Sequence, residues 1–174
     1  MRTTAAATLA LLALAGAGAR AEAVEPLSGP DTQFLAAAIR EGMAEVEISK
    51  TAAQKATDPE VKKFAERMVK DHSAANERLM ALAEKHKIEA EGTYGTPPLE
   101  TPEREKAERR DLSRLSGQEF DRAYASDAVE DHERAVNLFR EAAKNSQDKE
   151  VSDLAAAMLP ALEEHLRMAQ ALAK

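Results

Sequence analysis

The chain has 174 residues, of which 31 are acidic and 24 basic, giving a net charge of −7. Nucleic acid and anionic membranes repel an acidic surface, so neither is expected as a partner. The sequence contains no cysteine, which excludes disulfides, thiolate metal sites and the covalent attachment of c-type haem. Aromatic residues make up only 3% of a chain rich in alanine, leucine and charged residues, a composition typical of closely packed helices.

The N-terminal segment has the features of a secretory signal peptide. Arg2 precedes the apolar run AAATLALLALAGAGA, and the following ARA has the small–x–small pattern of a cleavage site. The run is short for a membrane span, and no second apolar run follows it. We therefore predict a signal peptide over residues 1–21, cleavage after Ala21, and a single mature domain over residues 22–174 in the periplasm or outside the cell.

Apolar residues recur at helical spacing over four long stretches, which predicts four helices. We expect the first helix to run from Thr32 to Lys55, with Asp31 as its N-cap. The second begins with Asp58 and Pro59, an N-cap residue followed by proline at the first helical position.

The third and fourth predicted helices also carry start signals. Ser116 and Glu119 have the spacing of a capping box, so the third helix is expected to begin there. The fourth begins near Asp148, after a KNSQD loop about as short as the KATD loop between the first two helices. Loops this short join antiparallel helices, so each pair is predicted to form a hairpin.

Residues 87–115 form a long connection between the hairpins, with three prolines and two glycines. Its charged segment PEREKAERRDLSRL is predicted to form a short solvated helix. A crossover of this length carries the chain back along the bundle and makes the second and third helices parallel neighbours. The predicted fold is all-α: a ferritin-like four-helix bundle of two antiparallel hairpins, with a short extra helix in the crossover.

The two hairpins resemble copies of one unit. DPEVKKFAERMV, residues 58–69, matches DKEVSDLAAAML, residues 148–159, at a separation of 90 positions. This internal repeat predicts that the hairpins are related by a pseudo-two-fold axis.

Two stretches have the form V-x-D-H-x-x-A: VKDHSAA and VEDHERA. They place His72 and His132 on the apolar faces of the second and third helices, and His165 lies on the apolar face of the fourth. Glu45 lies on the flank of the apolar face of the first. At a rise of about 1.5 Å per residue all four fall near mid-bundle, whereas His86 lies about 21 Å beyond His72. One carboxylate and three imidazoles at one depth form a candidate metal site.

The repeat adds a second observation about these four positions. Three of the four candidate ligands correspond to small residues in the other copy, which leaves space around them. The pairs are His132 with Gly42, His165 with Ala75, Glu45 with Ala135, and His72 with Leu162.

Three nitrogen ligands and one oxygen ligand suit zinc, iron(II) or copper(II), so a single divalent ion is predicted. Such an ion would also offset the cost of burying the charge of Glu45 among alanines. Asp71 and Asp131 each precede a histidine and point about 100° away from it. They are predicted to accept hydrogen bonds from the ligands or to contact another helix, with a solvated flank as the alternative.

Three other residues, Met68, Met158 and Pro160, each allow two structural interpretations. Met68 and Met158 occupy equivalent repeat positions and are expected to fill the core, although a Met/His pair in a helical bundle also ligates b-type haem. Pro160 lies inside the fourth helix, shortly before His165. It is either a tolerated kink or a bend that directs His165 to the centre.

The segments MVKDH, SGQEFDRAY, VEDHE and LPALEEH together resemble the domain of unknown function family 4142, over residues 28–173. The resemblance implies an exported bacterial bundle of ferritin-like fold and implies no reaction. Di-iron members of the wider ferritin-like group carry E-x-x-H motifs. Here Val69, Val129 and Leu162 stand three residues before the histidines, so di-iron chemistry is not expected.

Two main hypotheses follow from the sequence. One is an exported binding module that holds a single metal ion through Glu45, His72, His132 and His165. The other is a structural, interaction or envelope-stress protein whose buried polar network holds no metal. An oxidase or ferroxidase is a weaker third hypothesis, and a second copy of the chain or an unidentified envelope component stays open as a partner.

Overall fold

The computed structural model describes residues 26–88 and 112–174. Four long helices cover most of these ranges: α1 (Gly29–Lys55), α2 (Pro59–Lys85), α3 (Gly117–Asn145) and α4 (Lys149–Leu172). The predicted all-α class is therefore confirmed. The predicted signal peptide and most of the predicted crossover helix lie outside the described residues, although 112–114 is helical. No helix within the described ranges is both long and apolar enough to cross a membrane.

Two of the four predicted helix starts are confirmed by cap hydrogen bonds. The Asp58 side chain accepts from the backbone N–H of Glu60, and the Asp148 side chain accepts from those of Glu150 and Val151. An aspartate N-cap satisfies amide groups that have no partner inside the helix.

Of the other two helices, α1 starts earlier than predicted, and α3 starts after Ser116 as predicted but without the predicted cap hydrogen bond. Ser28, and not Asp31, is the N-cap of α1, and its hydroxyl oxygen accepts from the backbone N–H of Asp31 at 3.2 Å. Pro30 extends the helix backwards, because proline is tolerated in the first turn. Ser116 is the N-cap of α3 but its side chain makes no cap hydrogen bond, so the predicted capping box is wrong.

Ring contacts fix the directions of the helices. The ring centroids of Phe34 and Phe139 lie 5.1 Å apart in an edge-on contact, and Nζ of Lys55 lies 4.9 Å from the ring centroid of Phe120. Because the start of α1 contacts the end of α3 and the end of α1 contacts the start of α3, the two helices are antiparallel. In each hairpin, α1–α2 and α3–α4, the two helices pack closely along their length, and α2 also contacts α4. The two hairpins and their antiparallel order agree with the prediction.

Helices α2 and α3 run parallel, as expected for a single crossover. Phe64 meets Tyr124 at 6.0 Å, and His72 meets His132 at 5.5 Å further along both helices. The two helices lie diagonally across the bundle and are not neighbours. Most of the contacts between the two hairpins are made by α1 with α3 and by α2 with α4. The expectation that they are adjacent is wrong.

The apolar core consists of two clusters, one at each end of the bundle. The first is built around Phe34, Leu79, Phe139 and Leu162, and the second around Ala52, Phe64, Phe120 and Ala169. On each helix the two clusters are separated by polar residues at the same height. We call these residues the polar layer: Glu45, Ser49, His72, Asn76, His132 and His165.

One buried carboxylate ties α3 to the loop between α1 and α2. Asp121, 5% exposed, accepts hydrogen bonds from the Thr57 hydroxyl at 2.6 Å, the Thr57 amide at 3.1 Å and the Asp58 amide at 2.9 Å. Asp121 therefore fixes one hairpin against the other.

We expect Asp121→Ala to lower the free energy of unfolding by about 3 kcal/mol, because it leaves two amides and a hydroxyl without their acceptor. Chemical denaturation followed by circular dichroism measures the change. Asp153→Ala is the matched control, since the pair that Asp153 makes with Lys149 is exposed and its loss should cost under about 0.5 kcal/mol. Equal effects of the two variants would contradict the proposed role of Asp121.

Candidate metal centre

Three imidazole rings meet in the polar layer. His72 on α2, His132 on α3 and His165 on α4 have ring centroids 5.4–5.5 Å apart in every pair. One ligand atom from each ring lies within 4.8 Å of the other two. His132 and His165 are each 2% exposed, and His72 is partly buried. Three residues far apart in sequence are thus brought together, as the helix heights predicted.

Hydrogen bonds decide which nitrogen of His132 is free. Its Nδ1 lies 2.8 Å from the backbone carbonyl oxygen of Ala128, so Nδ1–H donates and the lone pair is on Nε2. That Nε2 lies 3.4 Å from Nε2 of His72. Two nitrogens bound to one tetrahedral zinc ion at about 2.1 Å are separated by about 3.4 Å. The pair therefore has the spacing of two ligands of one ion.

His165 is oriented by a carboxylate. Its Nε2 lies 3.0 Å from Oδ2 of Asp71, and the same oxygen accepts from Nε of Arg67 at 3.1 Å. Nδ1 of His165 is buried and makes no hydrogen bond within the described residues. With Nε2–H donating to Asp71, the lone pair on Nδ1 remains available, which is the arrangement of a carboxylate-supported histidine ligand.

Burial keeps the imidazole rings of His72 and His165 uncharged. It lowers the pKa of His72 to about 4, with His132 and His165 acting in the same direction and the charge of Glu45 in the opposite one. Burial also lowers the pKa of His165, although the hydrogen bond to Asp71 opposes it. Both rings are neutral at pH 7, and neutral imidazole is the form that binds metal.

The charge of Asp71 is retained. Burial alone would raise the pKa of this carboxyl, but hydrogen bonds from His165 and Arg67 outweigh burial and lower it. An ionised Asp71 is therefore available as an acceptor for the His165 N–H at neutral pH. The sequence predicted an acceptor role for Asp71, and the geometry places it against His165, not against its sequence neighbour His72.

Glu45 belongs to a different hydrogen-bond chain in the same layer. It is 7% exposed, and its Oε1 accepts from the Ser49 hydroxyl at 2.7 Å. Ser49 in turn lies 2.8 Å from the hydroxyl of Tyr124, which donates because the Ser49 proton is already used. Burial and the charge of Glu45 raise the pKa of Tyr124 well above its usual value, so the phenol keeps its proton.

Glu45 is not part of the three-histidine group but lines the same cavity. Asp131, the counterpart of Asp71, forms an ion pair with Arg134 one turn along α3. Met68 and Met158 lie in different core clusters, on opposite sides of the polar layer. Pro160 is exposed and α4 continues through it. His86 is the C-cap of α2 and lies outside the cluster.

A cavity of about 370 Å³ adjoins the three histidines and is lined by all four helices. Its wall includes Asn76, a 5% exposed side chain whose Oδ1 has no hydrogen-bond partner within the described residues. The sequence analysis did not identify Asn76 or the chain from Tyr124 to Glu45. The four-residue spacing between His72 and Asn76 would have placed both on one helix face.

Fold and site together define a class: a four-helix bundle whose core is divided by a layer containing a cluster of three histidines, two of them buried and one partly buried. The chain belongs to the domain of unknown function family DUF4142, whose model matches residues 16–172. The resemblance noted from the sequence motifs is thereby confirmed. None of the curated proteins compared with the chain matches it.

Several solved structures share this fold. A DUF305 fragment from Deinococcus radiodurans has a TM-score of 0.73 and 15% identity, covering 86% of this chain and 98% of its own. A DUF305 protein from Streptomyces coelicolor has a TM-score of 0.69 and 17% identity, covering 82% and 91%. CopM in its Cu(II)-bound form has a TM-score of 0.63 and 17% identity, covering 82% and 96%. At these identities the similarity establishes the fold alone.

The low pKa of His72 predicts how the metal-free protein responds to acid. The unfolded chain binds a proton at His72 near pH 6.5, whereas the folded chain does so only near pH 4. Stability is therefore retained above pH 6.5 and lost as the pH falls towards 4, by on the order of 3 kcal/mol from this residue.

Urea denaturation between pH 7.5 and pH 4 in the presence of a chelator measures this loss. Carboxylates titrate in the same range, so the decisive quantity is the difference between wild type and His72→Gln. We expect the variant to lose less stability on acidification, and His86→Gln to follow the wild type. Parallel pH profiles for wild type and His72→Gln would contradict the effect.

Proposed function

We propose that this protein is an exported helical-bundle module that binds one divalent transition-metal ion through His72, His132 and His165. The observation that carries the proposal is the match between geometry and tautomer. In His132 one ring nitrogen donates to a backbone carbonyl and in His165 one donates to Asp71, and one nitrogen from each of the three rings lies within 4.8 Å of the other two. A contraction of under about 1 Å brings the donors to ligand distance around one ion.

Copper(II) is the ion we favour, ahead of zinc and iron(II). Imidazole nitrogens suit all three, and at a given nitrogen site copper(II) binds most tightly of the divalent series. The Cu(II)-bound structure of CopM supports this choice by analogy of fold. The sequence contains no cysteine, so thiolates do not compete for the ion.

Glu45 is proposed as the fourth ligand. Its carboxylate lines the cavity beside the histidines and acts electrostatically on His72. Ligation requires it to turn away from the hydroxyl of Ser49. Its negative charge would offset part of the charge of the bound ion. Export of the mature domain, residues 22–174, remains part of the proposal and is supported by the leader-like sequence before it.

A metal-free polar network is the competing function. The Nε2 atoms of His72 and His132, 3.4 Å apart, are within reach of a hydrogen bond if one of them carries a proton. In that case the polar layer would fix the register of the bundle, and the protein would act as a structural or interaction module. The two hypotheses differ in whether the rings bind an ion stoichiometrically.

Metal content and thermal stability test the proposed metal site. The mature protein, purified without a histidine tag and loaded with copper(II), should hold one ion per chain by mass spectrometry. At a free concentration 100-fold above Kd, the ion should stabilise the fold by about 2.7 kcal/mol. For a domain of this size that raises Tm by roughly 5–10 °C.

The control for this experiment is the fourth histidine of the chain. His132→Gln should lower copper affinity at least about 100-fold, because glutamine is similar in size to histidine but supplies no imidazole nitrogen. His86→Gln should keep the wild-type affinity, since His86 lies at the end of α2. If copper, zinc and iron(II) all leave Tm unchanged and no ion is retained, the metal hypothesis is wrong and the polar network replaces it.

The hydrogen bond from His165 to Asp71 can be tested separately. Asp71→Asn removes the charged acceptor and should weaken metal binding about 10- to 100-fold while leaving the fold intact. Asp131→Asn is the matched control, because this residue occupies the same position in the second V-x-D-H-x-x-A stretch but pairs with Arg134. We expect a change under about threefold. Isothermal titration of both variants distinguishes orientation of one ligand from a general effect of negative charge.

A further inference from the structure

The proposed fourth ligand bonds to a hydroxyl group and not to the histidine cluster. Glu45 lines the same cavity as the three histidines, but its carboxylate is not among the ligand atoms that lie within 4.8 Å of one another. Its Oε1 instead accepts a hydrogen bond from the hydroxyl of Ser49 at 2.7 Å. Glu45 therefore has two partners available to it, the hydroxyl in this structure and the ion in the proposed complex.

The hydroxyl that holds Glu45 is itself fixed by a second buried group. Ser49 is fully buried, at 0% exposure, and its oxygen lies 2.8 Å from the hydroxyl of Tyr124, which is 1% exposed. The phenol donates to Ser49 because the Ser49 proton is used by Glu45. Hydrogen bonds in such a chain strengthen one another, so Tyr124 makes Ser49 a better donor to the carboxylate.

The type of partner distinguishes Glu45 from the aspartates of the cavity wall. Asp71 and Asp131 are each paired with an arginine of their own helix. Glu45, which is 7% exposed, is held by a neutral hydroxyl. A neutral donor does not compensate the charge of a buried carboxylate, so a divalent ion close by attracts it strongly. The ion and the hydroxyl of Ser49 therefore compete for one carboxylate.

Glu45 can change partners without leaving a buried hydroxyl unsatisfied. Ser49 lies four residues after Glu45 on α1, and a helical serine can donate instead to the backbone carbonyl four residues before it. Tyr124 keeps Ser49 as its acceptor in both arrangements. Only the hydrogen bond from Ser49 to the carboxylate is lost when Glu45 turns towards the ion.

We propose that Ser49, supported by Tyr124, is a positioning residue of the metal centre: it competes with the bound ion for the carboxylate of Glu45 and sets how tightly the ion is held and how fast it is released. This inference rests on the proposed function, since it requires an ion at the three histidines with Glu45 as fourth ligand. A carboxylate that can return to Ser49 lets the ion leave in two steps, first from the carboxylate and then from the imidazoles. Such a site suits an ion that is passed on.

Copper(II) binding to Ser49→Ala tests the proposal. Alanine removes the competing hydroxyl and leaves the carboxylate and all three imidazoles in place. Dissociation constants are measured by competition with a chelator of known affinity, and release rates by stopped-flow transfer of the ion to excess EDTA. We expect the affinity of Ser49→Ala to rise about tenfold, the change expected for one hydrogen bond to a charged group, and release to slow by a similar factor.

A double-mutant cycle with Glu45→Leu shows whether Ser49 acts through the carboxylate. Leucine is similar in size to glutamate and supplies no ligand. In the Glu45→Leu background, Ser49→Ala should change the affinity less than about twofold, because no carboxylate remains for the hydroxyl to hold. A general effect of Ser49 on packing would persist in both backgrounds. The copper(II) EPR spectrum of Ser49→Ala should also differ more from that of Glu45→Leu than the wild-type spectrum does.

Two further variants complete the test. Tyr124→Phe keeps Ser49 but removes the donor that supports it, so it should raise the affinity about threefold. It keeps the proposal testable if Ser49→Ala does not fold. Ser152→Ala is the matched control, because this hydroxyl donates to the backbone carbonyl of Ala143 at 2.9 Å and does not line the cavity. Its loss should leave copper affinity and release unchanged.

The outcomes distinguish this inference from the proposed function. If wild type binds copper(II) and the affinity is unchanged or lower in Ser49→Ala and in Tyr124→Phe, the positioning role is wrong while the metal site stands. The role is also wrong if Ser49→Ala raises the affinity equally with and without Glu45. If wild type retains no ion, the proposed function fails and this inference fails with it.

Discussion

Three imidazole rings, with centroids 5.4–5.5 Å apart, are buried side by side in the middle of a helical bundle, and the rest of the structure accommodates them. Burial lowers the pKa of His72 and of His165, because a charged imidazole in this layer would lose its hydration and repel its neighbours. Neutral rings need partners for their N–H groups. The carbonyl of Ala128 and the carboxylate of Asp71 provide them and thereby fix which nitrogens are left with lone pairs.

The polar layer also explains why the core has two parts. Polar side chains occupy the middle of the bundle, so the apolar residues form separate clusters at either end. The layer has two unlike halves. One half holds His132 and His165, and the other holds His72 together with Gly42 and Ala75, where the cavity opens. The sequence repeat is broken at these positions, which accords with imidazole rings in one half and small residues at the equivalent positions of the other.

Much of the fold follows from local signals. Helical periodicity, the caps at Asp58 and Asp148, and short loops correctly indicated four helices in two hairpins. The errors arose where a local pattern had two readings. Ser28 was an equally good cap one turn before Asp31, and the Ser116 side chain makes no cap hydrogen bond despite its spacing from Glu119. Neighbours could not be told from diagonal partners, because helix length and direction are the same in both arrangements.

Helix heights alone brought the three histidines to one depth, and the structure joins them in one cluster. The side-chain rotamers and the ring tautomers could not be predicted from the sequence, because they depend on atoms contributed by other helices. For the same reason the sequence predicted an acceptor role for Asp71 but not which histidine it would support, and the hydrogen bond is made to His165 across the α2–α4 interface.

The amino-acid sequence by itself therefore determined the class of fold, the family and the depth at which the histidines lie, because these depend on periodicity and spacing along each helix. Only the tertiary structure decided that Asp71 supports His165, that Glu45 accepts a hydrogen bond from Ser49, and that Oδ1 of Asn76 lies against Gly42 without a hydrogen-bond partner in the described part of the chain. Those features depend on how four helices pack against one another. Packing sets distances of a few ångströms that no pattern along one helix specifies.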